Sequence, residues 1–409
     1  MQEARSASMG VSLAFGVATP IRSSTMSEFP QASSSAPRDR TRAIAAAIAA
    51  LWVAAAIGAT IQQGVLHQNN NFLIFRAASW HLLHDQDLYA AYPALHFDYY
   101  KYSPTFALLF LPFALPPFWL AMLLWNALNA AALYFAIGTV LPLRRANVAR
   151  AIVFLDMLGS LQNVQSNALV AALIIFAFAA YERRHTVLGS AAAMIGTVIK
   201  VFPLAGVSFA LFHRRKVRVA LALVVSALVL AALPLLVTSP AVLRMQYASW
   251  KAISALDALT RGFSVMEMVH LVTGTNWPNW PIQLAGAAAL VAPVLARPSR
   301  HGDWEFRRLY LCSVLLFCLI FNHKAESPAF VIGVSGVAIW FAALERRTRW
   351  DWTLFAITVL FTILASSDAM PRLLQRELFD PYRLKTVPLI VMWVEVQRRL
   401  WREPVNRET

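Results

Sequence analysis

The sequence predicts an all-α polytopic membrane protein, a bundle of about 10–12 helical spans with interfacial helices in an extracytoplasmic first loop. Of its 409 residues, 58% are hydrophobic and only 14% are charged, and the mean hydropathy is +0.55. Soluble domains usually carry about 25% charged residues, so this chain has too few charges to cover a water-exposed surface. Apolar runs separated by short basic loops recur along most of its length.

The net charge of +15 does not indicate a nucleic-acid-binding protein. The basic residues lie mostly in short loops between apolar runs, as topology determinants do, and no basic stripe alternates with base-stacking aromatic residues. Cys312 and Cys318 are the only cysteines, and they lie in an apolar run without neighbouring His or carboxylate residues. The sequence thus excludes a disulfide scaffold, and the two cysteines form no metal-site pattern. We expect no cofactor, no metal and no nucleic-acid partner.

One transmembrane domain, residues 38–402, is expected between two tails. Residues 1–37 are rich in Ser and Ala and contain no sustained apolar run, which predicts a disordered cytoplasmic N-terminal tail rather than a secretory signal. Residues 403–409 are expected to form a cytoplasmic C-terminal tail. The first apolar span, residues 43–66, follows a basic cluster at residues 38–42, so the positive-inside rule puts the N-terminus in the cytoplasm.

The next segment, residues 67–102, is rich in polar and aromatic residues and is not membrane-like. This composition is typical of short amphipathic helices at the outer interface. His81 and His84 stand three residues apart beside carboxylates, which could form a metal pair on one helical face, but we favour the polar side of an interfacial helix. Asp98 precedes the second span, where it is either a base near the bilayer surface or a solvated loop charge.

Basic clusters between the later apolar runs set the orientation of the chain. The runs are approximately 103–115, 118–141, 151–181, 186–200, 202–213, 217–238, 281–296, 309–321, 328–344, 353–366 and 386–397. If every basic cluster is cytoplasmic, residues 186–213 must leave and return, with Lys200 at the tip of a helical hairpin on the outer side. Arg144 and Arg145 are the exception, because they fall outside in this arrangement. The outer face then collects most of the unusual polar residues, in loops 67–102, 142–166, 239–280, 322–327 and 367–385.

Three polar groups on that face are candidates for chemistry. Gln165 and Asn167 are amides that either bind a hydroxyl-rich ligand or form hydrogen bonds between helices. Lys200, in an otherwise apolar stretch, either meets an anion such as a phosphate or snorkels to the interface. For the third group we favour a site role over mutual neutralisation, because ionisable clusters at membrane depth tend to be functional; it comprises His323, Lys324 and Glu326.

Taken together, these residues resemble glycosyltransferase family 87, also described as domain of unknown function 2029, over residues 43–402. The matching landmarks, in chain order, are Asp87-Leu88-Tyr89, Tyr102-Ser103-Pro104, Val164-Gln165-Ser166-Asn167, Lys200-x-x-Pro203 and the segment from Phe321 to Pro328. The resemblance implies a C-type glycosyltransferase fold. It departs from the family pattern at Val164, which replaces a Gly, and at Asn71, where members commonly carry an Asp proposed as the catalytic base. An amide cannot accept a proton as that carboxylate would.

The resemblance implies a polyprenyl-phosphate-sugar-dependent, mannosyltransferase-like enzyme of the bacterial cell membrane, with an extracytoplasmic active site. It would move a mannose-like hexose or pentose from the lipid-phosphate donor to a glycolipid or glycan acceptor of the cell envelope. The alternatives are a lipid-linked sugar transporter or flippase, or a non-catalytic membrane scaffold if Asn71 marks the loss of the base. Transporters usually carry ionisable residues near the midplane and often show inverted repeats, and the sequence shows neither pattern.

The chemistry of sugar transfer assigns an expected role to each candidate. A base must take the proton of the attacking hydroxyl, and cations must stabilise the charge on the departing phosphate. Asp98 and Glu326 compete for the base role, with Asp87 next, and Lys200 and Lys324 are the expected cations. The residues expected to bind substrate are Asn71, His81, Tyr89, Lys101, Tyr102, Gln165, Asn167, Lys200, His323 and Lys324.

Overall fold

The computed structural model describes residues 36–366 and 370–402, and this part of the chain contains helices and no strand. The α-helices are α1 (Ala36–Val65), α2 (Asn70–Leu83), α3 (Pro104–Leu109), α4 (Leu111–Ala114), α5 (Phe118–Val140), α6 (Leu143–Gln162), α7 (Asn167–Glu182), α8 (Thr186–Ile199), α9 (Lys216–Ala232), α10 (Pro240–Leu256), α11 (Val265–Thr273), α12 (Asn279–Ala296), α13 (Trp304–Ile320), α14 (Phe330–Ala343), α15 (Arg349–Thr358), α16 (Arg372–Leu374) and α17 (Val387–Trp401). A 3₁₀ segment, Phe202–Phe212, lies between α8 and α9, and shorter 3₁₀ or π turns are Leu233–Leu236, Pro298–Gly302, Ser327–Ala329, Val359–Ile363, Leu364–Ser366, Gln375–Phe379 and Leu384–Thr386. The predicted all-α fold class is confirmed.

The predicted tails fall almost entirely outside the described residues. This applies to residues 403–409 and to residues 1–35, whereas α1 already begins at Ala36. The residues from Thr41 onward form one unit, and this unit contains every feature described below.

Among the residues that the structure describes, four helices are long and apolar enough to cross a membrane, and they are Asp39–Val65, Phe118–Val140, Lys216–Leu236 and Asn279–Ala296. Large apolar side chains remain exposed on them, for example Leu228, which is 65% exposed. By contrast, every residue of α14 is buried, as expected for a helix that is apolar on all sides. Helix α13 approaches it closely, since a Cβ atom on Gly336 would lie 2.9 Å from the Cys312 carbonyl oxygen. The centre of the bundle is therefore the α13–α14 pair.

In the described part of the chain, twelve helical segments run back and forth between two ends of the bundle: α1, α5, α6, α7, α8, the 3₁₀ segment, α9, α12, α13, α14, α15 and α17. One end, here called the arginine-rich end, is held together by basic side chains. Arg145 Nη1 donates to the Ala343 carbonyl at 2.9 Å, and Arg307 pairs with Glu182 at 2.8 Å. The opposite end, here called the site end, carries residues 66–103, 163–166, 200–201, 233–278 and 321–329, with the described residues between 364 and 386.

Helices α3 and α4 correct the expectation that residues 103–115 form a span. At 1.5 Å per residue they reach only about half of the ~30 Å hydrocarbon core. They pack against α2 at the site end, where Arg76 Nε donates to the Ala114 carbonyl at 3.1 Å. Because α5 is therefore the second crossing, the turn before α6 lies at the arginine-rich end. Arg144 and Arg145 thus join the other basic clusters instead of lying at the opposite face, and the exception in the predicted topology disappears.

Residues 186–213 form the predicted hairpin. Helix α8 and the 3₁₀ segment pack together, with Thr186 Oγ1 and His213 Nε2 only 3.4 Å apart at the arginine-rich end. Lys200 stands in the turn at the other end, and Pro203 occupies the first turn of the 3₁₀ segment, where its missing N–H costs no hydrogen bond. The hairpin therefore delivers Lys200 to the site end.

Helix α2 lies in the first loop, where the sequence predicts interfacial helices. Half of the residues of α2 are buried inside the protein, and Phe72 and Phe75 are fully buried among them. Their rings pack edge-on against Phe110 of the α3–α4 junction, with centroids 5.7 and 5.4 Å away. The helix is thus a packed part of the bundle and a rigid support for the residues beside it.

Candidate functional site

A cavity of about 890 Å³ opens at the site end. Its walls come from α2, the 98–102 loop, the turn before α7, the Lys200 turn, the 3₁₀ segment, α10, α12 and the 322–326 loop. These segments are distant in sequence, so only the folded bundle brings them together. The cavity contains most of the predicted site residues: Asn71, Asp98, Lys101, Tyr102, Gln165, Lys200, His323, Lys324 and Glu326.

Two amides hold the Lys200 side chain in the turn between α8 and the 3₁₀ segment. Its Nζ donates to Asn167 Oδ1 at 2.6 Å and to Gln165 Oε1 at 3.3 Å. Gln165 Nε2 donates in turn to Glu326 Oε2 at 3.1 Å, so a neutral amide stands between the ammonium and the carboxylate. Burial lowers the pKa of Lys200 to about 8, against the opposing effect of Glu326. The ammonium is directed by amides rather than paired with a carboxylate, which suits the binding of an anion.

A second group of charges lies along another wall of the cavity. Lys101 Nζ is 3.3 Å from Asp98 Oδ1 and 3.9 Å from Asp257 Oδ2, and Lys324 Nζ is 2.9 Å from the same Asp257 oxygen. Carboxylates and ammonium groups thus alternate from Asp98 to Lys324. With Lys200 and Glu326, three lysines and three carboxylates line the cavity, so these side chains nearly balance in charge.

Asp257 is a site residue that sequence analysis missed. It follows α10 in the long site-end segment of residues 233–278 and belongs to no motif. Only the fold brings this carboxylate beside Lys101 and Lys324, which are far from it in sequence. The one signal in the sequence is its helical spacing from Trp250, since residues seven apart share a helix face.

His323 is held as a neutral hydrogen-bond donor. Gln283 Nε2 is fixed by the Phe321 carbonyl at 3.0 Å and lies 3.1 Å from His323 Nδ1. Because an amide nitrogen can only donate, Nδ1 accepts and the ring proton resides on Nε2. Burial, and then the positive charge of Lys324, lower the pKa of His323 below its usual range. The imidazole can therefore donate from Nε2 to a sugar hydroxyl or a phosphate oxygen.

The 322–326 loop is fixed by backbone contact with the loop after α10. Phe263 N donates to the Ala325 carbonyl at 2.9 Å. Gly262 adopts a left-handed φ of +48°, and a Cβ atom there would lie 2.5 Å from the Ala325 oxygen and 3.1 Å from the His323 oxygen. Only glycine permits this approach, so Gly262 fixes the position of the loop that carries His323 and Glu326.

We expect Gly262→Ala to reduce the activity of this site about tenfold, because the new methyl group must push the 322–326 loop aside. Gly274→Ala is the matched control: Gly274 has a φ of +68° but nothing within 4 Å of its Cβ position. Both variants incur a left-handed backbone cost of about 1–2 kcal/mol, which thermal unfolding of the purified proteins measures. Equal losses of activity in the two variants would show that strain, not displacement of the loop, is responsible.

Some predicted residues lie outside the cavity lining. Asp87 uses its two carboxylate oxygens to accept hydrogen bonds from Tyr89 N at 3.0 Å and Ser249 Oγ at 3.1 Å. His81 stacks on Tyr92 with the ring centroids 3.8 Å apart. These contacts hold the first loop together, and they account for Asp87, His81 and Tyr89 without a ligand.

The structure places two further sets of predicted residues, Asn167 and the His81–His84 pair, in contacts with other parts of the protein. Asn167 is fully buried behind Gln165 and reaches the cavity only through that amide, at 2.8 Å, and through Lys200. His84 Nδ1 hydrogen-bonds to the Trp80 carbonyl at 2.8 Å, and His81 is occupied by its stacking partner. Among the described residues, no group of three or more His, Cys, Asp and Glu side chains could hold a metal ion.

From its polar end the cavity continues as an apolar arm between α12 and the 3₁₀ segment. On α12 the lining residues recur at helical spacing over about 16 Å: Trp280, Leu284, Ala287 and Val291. The 3₁₀ segment supplies the facing wall with Leu204 and Ala205. Leu284 is 60% exposed and Leu204 is 48% exposed. The arm is therefore open along its side, where a bilayer would surround the bundle.

Comparison with known proteins identifies one family. A family model described as glycosyltransferase family 87 matches residues 100–321, just over half of the chain. No curated protein matches the chain. The matched segment contains Lys101, Gln165 and Lys200, whereas Asn71, Asp98 and the 322–326 loop lie beyond its limits.

Proposed function

Because the chain belongs to glycosyltransferase family 87, it is a membrane glycosyltransferase, and we propose that its donor is a polyprenyl-phosphate sugar. The acceptor in this proposal is a hydroxyl group of a glycolipid or glycan, and the sugar is a mannose-like hexose or a pentose. One observation carries the proposal: the apolar arm is open along the side of the bundle and leads directly to a polar end that contains Lys200. A lipid tail followed by a phosphate and a sugar fits that order of surfaces.

In the proposed complex the isoprenoid tail lies in the apolar arm and the phosphate meets Lys200. Two amides already orient that ammonium, at 2.6 and 3.3 Å, so binding the phosphate requires little reorganisation. Lys324 and His323 line the same cavity and can donate to the remaining phosphate or sugar oxygens. As the bond between the anomeric carbon and the phosphate oxygen breaks, its electron pair passes to the phosphate. The cations stabilise the charge that develops there.

A carboxylate at the other side of the sugar takes the proton of the acceptor hydroxyl, whose oxygen attacks the anomeric carbon. Glu326 is the leading candidate because a single amide, Gln165, separates it from Lys200. Glu326 is also exposed and lines the cavity. Asp98 is the competitor, although both of its oxygens already face the Lys101 ammonium at 3.3 and 3.4 Å. Asn71 lines the same cavity but donates its amide to the Asn163 carbonyl at 2.9 Å, and it cannot accept a proton.

The proposed orientation has the arginine-rich end in the cytoplasm and the cavity on the extracytoplasmic face of the cell membrane. The positive-inside rule supports it, because the basic side chains Arg145, Arg183 and Arg307 share one end. The charged cavity lies at one end of the bundle rather than at mid-height. This position favours a transferase over a transporter, whose binding sites lie near the bilayer midplane.

We expect the purified protein in lipid nanodiscs to transfer radiolabelled mannose from mannosyl polyprenyl phosphate to octyl α-D-mannopyranoside. GDP-mannose should support no transfer under the same conditions, and nanodiscs without the protein serve as the inactive control. Transfer from the nucleotide sugar alone would contradict the proposed donor. In proteoliposomes, movement of the labelled lipid between leaflets without transfer would instead establish the transporter alternative.

A further inference from the structure

We infer that the cavity-facing side of α10 is a saccharide subsite, which binds a pyranose ring of the acceptor. This inference rests on the proposed function and adds to it the chemical class of the group that the acceptor must present. Trp250, Ser254 and Asp257 all line the cavity, and their spacings of four and three residues put them on one helix face. That face therefore offers, in order, an aromatic ring, a hydroxyl group and a carboxylate.

The Trp250 ring is fixed rather than mobile. Its Nε1 donates to the Lys101 carbonyl at 3.3 Å, and the ring of Tyr247 lies 6.2 Å away between centroids. The indole N–H is thus satisfied by the protein, and what the side chain contributes to the cavity is apolar ring surface. A flat apolar surface in a polar cavity requires a ligand with an apolar face of its own.

A pyranose ring has that combination of surfaces, because its C–H groups form an apolar face while hydroxyl groups project from its rim. The rim hydroxyls need partners that both donate and accept. The Ser254 hydroxyl can donate or accept. The Asp257 carboxylate accepts, and Lys324, whose Nζ lies 2.9 Å from Asp257 Oδ2, can donate. An acceptor side chain of a polypeptide, or a simple lipid alcohol, would leave either the ring or these polar groups unmatched.

The position of α10 assigns this subsite to the acceptor rather than to the donor. Helix α10 belongs to the outer loop and is clamped to the first loop through Gln246, which is fully buried, donates to the Gln86 carbonyl at 2.7 Å and accepts from Leu88 N at 3.0 Å. It contributes nothing to the apolar arm. A ring on this face approaches from water, whereas the donor approaches through the arm.

The position of Trp250 also distinguishes it from the exposed tryptophans, which have the exposure typical of membrane anchors. Trp277 and Trp280 are 59% and 62% exposed, as is typical of interfacial aromatic residues. Trp250 is half-buried and lines the cavity. Trp277 does not line the cavity, so it provides a matched control for the loss of an indole at the site end.

Saturation-transfer NMR on the full chain in nanodiscs, with methyl α-D-mannopyranoside, tests the subsite without requiring catalysis. Methyl glucopyranoside and galactopyranoside are run alongside, because all three hexosides present an apolar ring face and rim hydroxyl groups. Unlabelled polyprenyl phosphate is present in excess to occupy the donor site. Mannitol, which has the hydroxyl groups but no ring, is the control ligand. We expect saturation on the ring C–H protons of at least one glycoside and none on mannitol.

In the same experiment Trp250→Ala should weaken glycoside binding about tenfold or more, and Trp250→Phe should restore most of it because an aromatic face remains. Asp257→Asn should also weaken binding, and Trp277→Ala should not. Thermal unfolding checks that each variant is folded. Equal binding by wild type and both Trp250 variants, or equal saturation of mannitol, would overturn the inference. If the glycoside binds through Trp250 but no transfer occurs in the assay above, the proposed function fails while the subsite stands.

Discussion

Glu326→Gln is expected to reduce sugar transfer by about 100-fold or more while donor binding stays within about twofold of the wild-type value. The substitution preserves the shape of the side chain and its contact with Gln165, which is 3.1 Å away, but removes its ability to accept a proton. The measurement is the initial rate of transfer at saturating donor, together with a separate titration of donor binding. A loss confined to the rate assigns Glu326 to the chemical step.

Asp98→Asn is the competing test, and Asp85→Asn is the control. Asp98 lines the cavity, whereas Asp85 lies in the first loop outside the lining, so both substitutions remove one carboxylate from the same face. If Asp98→Asn abolishes transfer and Glu326→Gln does not, the base is Asp98. If both variants retain full activity, neither Asp98 nor Glu326 is the base, and the residues to test next are Asp257, the third carboxylate of the cavity, and Asp87.

The sequence predicts both the all-α class and the convergence of residues distant in sequence at the site end of the bundle. Charge patterning restricts which loops share a side of the membrane, and this restriction is enough to bring Lys200, Asp98 and the 322–326 loop to one face. Hydrophobic patterning does not fix which apolar runs cross. Residues 103–115 are apolar because they pack against α2 and α5, and their length, not their composition, reveals that they stop short.

The unpredicted parts of the site depend on contacts that leave no local pattern. Asp257 becomes a partner of two lysines only through the path of the outer loop, and Gly262 is constrained by a backbone that lies more than sixty residues further along the chain. Gln283 determines which nitrogen of His323 carries the proton, although it lies within an apolar helix. Each of these residues acts on another residue of the cavity, so its role is visible only after the helices are packed.

The same reasoning clarifies the departure at Asn71. In the family that this sequence resembles, a carboxylate at that position is the proposed base, and an amide there raises the question of whether the chain is active. Asn71 shares its cavity with Asp98, Asp257 and Glu326, so the cavity still contains groups that can accept a proton. The proposed phosphate contact, Lys200, is held by Gln165 and Asn167 rather than by Asn71.

Lys200→Met is expected to weaken binding of the polyprenyl-phosphate donor about 30-fold, because it removes the buried cation while keeping an apolar stem of similar length. Lys251→Met is the matched control, since Lys251 is exposed on α10 and does not line the cavity. Donor binding is measured by titration of the radiolabelled lipid into nanodiscs. An equal, small effect of both substitutions would mean that the phosphate does not meet Lys200.

The pH dependence of donor binding is a second test of the contact between Lys200 and the phosphate, and it does not rely on the Lys200→Met variant. Burial lowers the pKa of Lys200 to about 8, so the ammonium is present below that pH and is lost as the pH rises through it. The proposed donor is a phosphodiester whose charge is constant in this range, and its affinity should therefore fall above about pH 8. Lys200→Arg should bind the donor with little change from pH 7 to 9.5, because a guanidinium stays protonated throughout. If the wild type and Lys200→Arg lose affinity at the same pH, the titrating group is not Lys200, and the phosphate contact must be reassigned to another cation of the cavity.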